Sequence, residues 1–380
     1  MEPAPHKQRI WVIDIARFYA MALVYYGHFI ERLMLLNSTE GFLQYKFIYS
    51  FHMMLFFVLA GFVAKESDLD YGFREFLKHR FMSRLLPFIF FTVIFMIAAA
   101  IFPGEFIGLK LPSVEGYVKG LVGTVFGLPY FCVPSWFLLM MFSVELVHYV
   151  AFRFLRASNI KIVIAAVLFY VGGYWFNLKL DIVDIMENRV VGYNYLFIHE
   201  AITMYAFYLL GVFLRRKNFL VEKVSPMITV PGAIIMFLLV LFTYKFNTGP
   251  FRFYIYHAVV IMFSSHGHFI WFPVTALAGS FMILFLARVA PRQKIVVWMG
   301  QNTLILMCLN GIFYHYINFR VAKWFVEFFA DSPWPVLGIG CLMTLMSLAV
   351  CIPLIYLFNT FVPQLVGKPK RNGPWFRNFL

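Results

Sequence analysis

Charged residues are scarce in this sequence, because Asp, Glu, Lys and Arg together make up only 13% of its 380 residues. Apolar residues make up 62%, and the mean hydropathy is +0.78. So little polar side-chain surface cannot cover a water-soluble globule of this length, which argues against a soluble fold. We therefore predict that most of the molecular surface faces lipid.

Cysteine is also rare, and the four cysteines follow none of the spacings that bind zinc. They lie in or beside apolar stretches without a CxxC pair or a Cys/His pattern: Cys132, Cys308, Cys341 and Cys351. Neither a disulfide framework nor a metal site is expected. The sequence also lacks a separate soluble domain, an internal repeat and a low-complexity linker, so residues 1–380 are predicted to form a single transmembrane domain.

Acidic residues are outnumbered, with 18 Asp and Glu against 32 Lys and Arg, which gives a formal net charge of +14. In a soluble protein this excess would indicate nucleic-acid binding. Here the basic residues form short clusters between apolar runs, a pattern that sets the orientation of membrane helices. We expect membrane lipid, and not nucleic acid, to be the partner of these clusters.

Several apolar stretches are each long enough to cross a bilayer, which takes roughly 20 residues in a helix. This predicts an all-α integral membrane protein with about ten transmembrane helices. The predicted spans are residues 11–34, 46–64, 85–102, 134–153, 160–177, 195–214, 227–244, 268–287, 296–317 and 335–358.

Basic residues determine the predicted orientation. The start of the chain resembles a signal peptide, but Asp14 and Arg17 interrupt its apolar run and no small-residue cleavage site follows, so a retained first helix is expected. With the N-terminus in the cytoplasm, 21 of the 32 Lys and Arg residues lie inside. Both termini are therefore predicted to be cytoplasmic.

Three connections between the predicted spans are long enough to bear on function. The basic segment 65–84 is placed in the cytoplasm, and segments 103–133 and 178–194 are placed outside, where they could roof a cavity. Segment 245–267 contains an apolar run, yet an extra span there would move the next basic cluster to the outside. A re-entrant or interfacial segment is expected instead.

Asp14, Arg17 and His28 give the strongest signal in the first span, where exposure to lipid is costly for each of them. At 100° per residue, Arg17 lies about 60° from Asp14, and His28 lies about 20° from Arg17, so the three share one stripe of the helix. His28 is roughly 16 Å further along the helix than Arg17. The stripe indicates a functional wall with His28 as a base. The alternative is an interfacial Asp14–Arg17 ion pair and a packing histidine.

Later spans add further candidates. His52 lies at a depth similar to that of His28, so both could face one outward pocket, although a hydrogen-bonded structural histidine is an equal alternative for His52. Trp136 and neighbouring aromatic residues could face a sugar ring or belong to the interfacial aromatic belt. Glu145 falls near the midplane of its span, where it is expected to pair with an arginine or histidine of another helix.

Ordered motifs along the chain resemble acyltransferase family three, the integral-membrane O-acyltransferases of bacterial surface polysaccharides and other glycans. Arg17 and His28 reproduce its signature of an arginine and a histidine separated by ten residues, with the matching Asp14 before them. Four further segments are similar to family motifs: FHMMLFFVLAGF from Phe51, HRFMSRLLP from His79, SWFLLMMFSVE from Ser135 and MGQNTLILMCLNG from Met299.

The resemblance implies an acyl-CoA donor bound from the cytoplasm, with acetyl-CoA as the expected co-substrate and succinyl as the alternative acyl group. It implies a glycan or lipid-linked saccharide acceptor at the outer face of a bacterial inner membrane. No metal is expected in the transfer. The acceptor is expected to contact His52, Trp136 and Glu145, while His28 acts as general base or as a transient nucleophile.

The donor is expected at basic residues near the cytoplasmic side. Arg17, oriented by Asp14, and the cluster of Lys78, Arg80 and Arg84 suit the phosphates of coenzyme A. The alternative for the cluster is that it only follows the positive-inside rule.

Three positions depart from the family pattern. Ala60 replaces the usual serine, Phe81 replaces the first arginine of an RxxR pair, and Asn310 stands where a histidine is common. A competing class is a transporter or flippase of a saccharide, but paired Gly/Pro-interrupted helices in corresponding halves, which would favour it, are not found. A non-catalytic membrane assembly subunit would leave Asp14, Arg17 and His28 without a shared purpose.

Overall fold

The computed structural model describes residues 10–180, 195–221, 224–251 and 258–380. These residues form α-helices joined by short 3-10 and π-helical turns, and they contain no β-strand beyond one isolated bridge between Val260 and Ser265. In chain order the helices are α1 (Trp11–Leu35), α2 (Thr39–Tyr49), α3 (His52–Val63), α4 (Phe73–Arg80), α5 (Leu86–Ile101), α6 (Val114–Val125), α7 (Trp136–Leu155), α8 (Asn159–Leu180), α9 (Ile198–Arg216), α10 (Pro226–Thr243), α11 (Trp271–Val289), α12 (Lys294–Gly300), α13 (Thr303–Ile312), α14 (Asn318–Phe328) and α15 (Pro333–Phe361).

Eight helical segments of the described chain are long and apolar enough to cross a membrane. A ninth is obtained if α12 and the helix Thr303–Phe328, which meet at an angle of 80°, count as one broken span. These segments overlap the second to the tenth predicted spans. The prediction of an all-helical membrane protein is confirmed, whereas the total of ten spans and the side of each terminus stay predictions.

Helix α1 corresponds to the first predicted span, and it lies among other helices and not at the lipid surface. It has 25 residues but is not one of the apolar segments above, because its polar residues lower its hydropathy. It contacts α2, α3 and all of α11 to α15, and 17 of its 25 residues are buried. Protein therefore surrounds most of its polar side chains, as expected of ionisable groups inside a membrane.

Helices α3 and α9 approach each other closely at two glycines. A Cβ at Gly61 would lie 1.9 Å from the Tyr208 carbonyl oxygen, and a Cβ at Gly211 would lie 2.0 Å from the Val58 carbonyl oxygen. Both distances are well below van der Waals contact, so this crossing requires glycine, as at other small-residue interfaces of membrane helices. The crossing holds α3, which begins at His52, against the rest of the bundle.

Segment 103–133 contains α6, and a buried histidine holds both of its ends. His315 Nδ1–H donates to the Glu105 carbonyl oxygen at 2.8 Å, and the Glu105 N–H donates back to the His315 carbonyl oxygen at 2.7 Å. At the other end, the Val133 N–H donates to His315 Nε2 at 3.4 Å. His315 belongs to the π-helical turn Phe313–Ile317 between α13 and α14. The segment is thereby fixed across this end of the bundle.

Segments 178–194 and 245–267 are described only in part. Residues 181–194, most of the predicted outer segment 178–194, lie outside the described residues. In segment 245–267, the described residues contain short 3-10 turns, one of them Ile261–Phe263, and no helix long enough to cross a membrane. Residues 252–257 of this segment lie outside the described residues, so the expectation that it adds no further span stays a prediction.

Candidate active site

A cavity of about 600 Å³ lies beside the C-terminal half of α1. Helices α1, α2, α3 and α7 enclose it together with segments 103–133 and 259–263. Most of the lining is apolar, and the residues with polar atoms in their side chains are His28, Glu31, Tyr45, Tyr49, His52, Tyr130, Trp136 and Tyr314. An apolar wall with a few polar groups is typical of a small-molecule site.

His28 reaches this cavity with one ring nitrogen already bonded. Its Nδ1–H donates to Oδ1 of Asn310 on α13 at 2.6 Å, and its ring meets Tyr314 edge on, with 5.1 Å between the ring centroids. Because the partner atom is an oxygen, the proton lies on Nδ1 and Nε2 keeps its lone pair. Nε2 has no hydrogen-bond partner among the described residues, so it can accept a hydrogen bond from a ligand.

His52 lines the same cavity from α3 and is held in a similar way. Its Nδ1–H donates to the Ile48 carbonyl oxygen at 2.9 Å, and its ring packs edge on against Tyr49 with 4.8 Å between centroids. The two predicted histidines therefore meet in one cavity, each with Nδ1 bonded. A structural role and a ligand-binding role for His52 are compatible, because they use different ring nitrogens.

Glu31 is a cavity residue that the sequence analysis missed. It follows His28 by three residues, so helical spacing places both on the same side of α1. The Tyr314 hydroxyl donates to Glu31 Oε1 at 2.9 Å, and the Tyr49 hydroxyl donates to Oε2 at 3.2 Å. The sequence shows this spacing, but a charged residue next to Arg32 near the predicted outer end of a span is common and does not by itself indicate a site.

Arg32 lies behind this carboxylate and does not line the cavity. Its Nη2 donates to the Tyr314 carbonyl oxygen at 3.0 Å, and its guanidinium lies 4.2 Å from the centroid of the Tyr314 ring. The residue is only 3% exposed. Tyr314 therefore holds this buried guanidinium through both its carbonyl oxygen and its ring face.

An aromatic wall of the cavity includes Trp136, and the contact of Trp136 with a saccharide stays a prediction. Trp136 packs against Phe137 with 6.0 Å between ring centroids, and Phe137 packs against Phe56 at 5.5 Å. All three residues line the cavity, and Tyr130 from segment 103–133 joins them. A residue of the interfacial belt would face lipid, whereas Trp136 is 7% exposed and faces this cavity.

The Asp14–Arg17 pair lies near the other end of α1 and does not line the cavity. Arg17 Nη1 is 3.8 Å from Asp14 Oδ1, and Gln301 Nε2 donates to Asp14 Oδ2 at 3.3 Å. Helix α12 approaches so closely that a Cβ at Gly300 would lie 1.8 Å from the Asp14 carbonyl oxygen. Since α1 is unbroken, Arg17 and His28 are separated by about 16 Å along its axis.

Glu145 lies with the basic cluster, away from the cavity that holds the other two residues expected at the acceptor. Its Oε1 accepts a hydrogen bond from Arg84 Nη2 at 2.8 Å, and Arg80 Nη1 is 3.6 Å from the same oxygen. Arg80 Nη2 also binds Asp68 Oδ2 at 2.6 Å. The expected pairing of Glu145 with an arginine of another helix is thus present, and Glu145 does not line the cavity.

These ion pairs change the electrostatics expected of the basic cluster. The formal charges of Arg80 and Arg84 are cancelled by those of Asp68 and Glu145. Lys78 is exposed and forms no ion pair with the described residues. A phosphate at this position would therefore meet two arginines that already hold carboxylates, and it would share their remaining N–H groups.

The predicted site residues consequently form three groups. His28, His52 and Trp136 line the cavity; Asp14 and Arg17 lie near the start of α1; Lys78, Arg80, Arg84 and Glu145 lie at or near the ion-pair cluster. Among the residues that the structure describes, no three His, Cys, Asp or Glu side chains are grouped so as to hold a metal ion.

Comparison with known proteins identifies the protein family of this chain. Residues 10–356 match the model of acyltransferase family 3, which is described as an acyltransferase domain. This match covers most of the chain, and the chain belongs to that family. The resemblance carried by the arginine and histidine signature is confirmed. Membership of the family, together with the apolar helices, supports a membrane acyltransferase.

One curated protein shares a shorter region with the chain. Nodulation protein NolL of Mesorhizobium japonicum is 32% identical over 105 residues, which are 27% of this chain and 28% of that protein. The chain thus matches less than a third of the length of this relative. No solved structure matches the chain.

Proposed function

We propose that this protein is a membrane O-acyltransferase that moves an acyl group from cytosolic acyl-CoA to a saccharide hydroxyl at the outer face of a bacterial inner membrane. The acyl group is acetyl, with succinyl as the alternative, and both termini are cytoplasmic. The observation that carries this proposal is His28, whose Nδ1 is bonded to Asn310 while Nε2 is left as an acceptor in a cavity. Family membership supports the reaction class.

In the proposed reaction His28 takes a proton from the acceptor. The hydroxyl oxygen attacks the thioester carbonyl carbon as its proton passes to His28 Nε2. The carbon–sulfur bond then breaks, and the coenzyme leaves as a thiolate that takes up the proton. Asn310 suits this role, because its oxygen keeps the Nδ1–H tautomer and faces the charge that develops on the ring. In the alternative route, Nε2 first takes the acyl group and then passes it to the hydroxyl.

The donor is proposed to extend along α1. Arg17, oriented by Asp14, would bind a phosphate near the cytoplasmic end, and the thioester would lie near His28, about 16 Å away. An extended pantetheine arm can span this distance. Lys78 is the exposed cation available to a further phosphate. Contacts from Arg80 and Arg84 would be shared with their carboxylate partners.

The test uses purified protein and acetyl-CoA labelled in the acyl group. Calorimetry measures coenzyme A binding, and label transfer to candidate glycans measures activity. His28→Ala is expected to lower transfer at least about a hundredfold, since general-base catalysis typically contributes that much, and to leave coenzyme A affinity unchanged. His199→Ala, a half-buried histidine on α9 outside the cavity, is the matched control and should retain activity.

Two results would contradict the proposal. Transfer by His28→Ala within about tenfold of wild type would remove His28 from the base role. Absence of saturable binding of coenzyme A or acetyl-CoA to the folded wild-type protein would favour a transporter over an acyltransferase.

A further inference from the structure

Glu31 is the single acidic side chain that lines the cavity within the described part of the chain, and no Lys or Arg lines it there. A carboxylate beside an apolar wall is costly unless its oxygens are hydrogen-bonded. The proton transfer at His28 does not use Glu31. Its presence beside the reacting nitrogen therefore calls for a separate role.

The hydrogen bonds of Glu31 leave room for a ligand. A carboxylate offers about four lone-pair positions, which accept hydrogen bonds but donate none. The hydroxyls of Tyr314 and Tyr49 take one position on each oxygen. Because residues three apart on a helix have Cβ atoms roughly 5–6 Å apart, one ligand can contact both Glu31 and His28.

The charges around the cavity decide which ligands suit this carboxylate. A ligand hydroxyl can donate to Glu31, whereas a ligand carboxylate or phosphate has no proton to donate and is repelled. Arg32 is buried behind Tyr314, so its guanidinium does not line the cavity and cannot pair with an anionic ligand there.

We propose that Glu31 makes the acceptor site selective for an uncharged saccharide, an inference that rests on the function proposed above. The reacting hydroxyl donates to His28 Nε2, a second hydroxyl of the same sugar donates to Glu31, and the sugar ring lies against Trp136. Sugars that carry a carboxylate or a phosphate near the reacting hydroxyl are rejected.

A purely structural role for Glu31 would be to hold Tyr49 and Tyr314 in place. Glu31→Gln separates the two roles, because the amide can still accept a hydrogen bond from one tyrosine and donate one to the other, while the charge is lost. Glu115→Gln makes the same chemical change at an exposed position on α6 and is the matched control.

The experiment measures binding of sugars without any acyl donor. Calorimetry or saturation-transfer NMR compares a panel of neutral methyl hexosides, pentosides and deoxyhexosides with the corresponding methyl uronides and sugar phosphates. Wild type is expected to bind at least one neutral glycoside about tenfold or more tighter than its charged counterpart. Glu31→Gln should reduce this ratio by about tenfold, the lower end of the effect of one charged hydrogen bond. Glu115→Gln should keep the wild-type ratio.

Three outcomes would overturn the inference: equal or tighter binding of the charged sugars by wild type, an unchanged ratio in Glu31→Gln, or no binding of any glycoside. If Glu31→Gln does not fold, the binding of neutral and charged sugars by wild type is by itself the deciding test. Labelled acetyl-CoA is then added to the same samples. Selective sugar binding without acyl transfer would contradict the proposed reaction and support the selectivity. Acyl transfer to charged and neutral sugars alike would support the reaction and contradict the selectivity.

Discussion

Replacing Arg84 by alanine tests whether the main role of this residue is to form an ion pair with Glu145 or to bind the acyl donor. Glu145 is only 5% exposed, and its closest charged partner is Arg84 Nη2 at 2.8 Å. Removing one partner of a buried ion pair typically lowers the free energy of unfolding by about 3–5 kcal/mol. Because Arg80 remains 3.6 Å from the same oxygen, we expect a loss of about 3 kcal/mol, at the lower end of that range.

The second substitution, Glu145→Gln, isolates the charge interaction. In that background Arg84→Ala no longer leaves a carboxylate unpaired, so its effect should fall to about 1 kcal/mol, the value of an ordinary hydrogen bond. The coupling energy of the cycle is then about 2 kcal/mol. Glu145→Gln alone should be milder than Arg84→Ala, because the Arg84 side chain is 25% exposed and can be solvated.

Unfolding of the purified variants in detergent, by heat and by denaturant, measures these differences. Arg156→Ala is the control, since Arg156 and Asp70 form an exposed pair at 3.8 Å and such pairs contribute little. The reasoning is refuted if Arg84→Ala is no less stable than Arg156→Ala, or if Arg84→Ala destabilises the Glu145→Gln protein as much as it destabilises wild type. Coenzyme A binding by the folded double variant then tests the donor role, because an affinity like that of wild type would exclude Arg84 as a phosphate ligand.

Three further predictions concern the base, the helix crossing and the topology. Asn310→Ala should lower acyl transfer about fivefold or more, because it leaves His28 Nδ1–H unpaired. Asn310→Asp keeps an oxygen acceptor and should retain most activity, so equal transfer by the two variants would contradict this role of Asn310. Gly61→Val should abolish the folded, monodisperse protein seen by gel filtration, because of the 1.9 Å approach, whereas Gly172→Val on α8, where a Cβ meets nothing within 4 Å, should not. Reporter fusions within 65–84 and at the C-terminus should be cytoplasmic and one within 178–194 external, and an external C-terminus would disprove the orientation.

The basic cluster illustrates a limit of counting charges along a chain. The cations of segment 65–84 are close together in sequence, so their excess is obvious. Glu145, which binds Arg84, follows it by 61 residues on a different helix. A pattern of neighbouring residues can predict that Glu145 needs a cationic partner inside a membrane, but not which cation provides it.

The cavity depends even more on distant contacts. His28 is bonded to Asn310 and the Tyr314 hydroxyl to Glu31, pairs that are 282 and 283 residues apart. In the sequence, Asn310 was only a departure from the family pattern. In the folded chain its oxygen is the acceptor that sets the tautomer of His28, a relation that no local pattern could reveal.

Local information was sufficient for the class of protein, for helices at the ten predicted positions, and for the stripe that holds Asp14, Arg17 and His28. These features follow from apolar run length and from the 100° rotation per helical residue, which depend only on neighbouring residues. The choice of residues that share a cavity depends instead on how the helices pack. That packing is set by contacts between residues far apart in the chain, such as the contact of Gly61 with Tyr208. The tertiary structure alone therefore decides that Glu31 lines the cavity and that Glu145 does not.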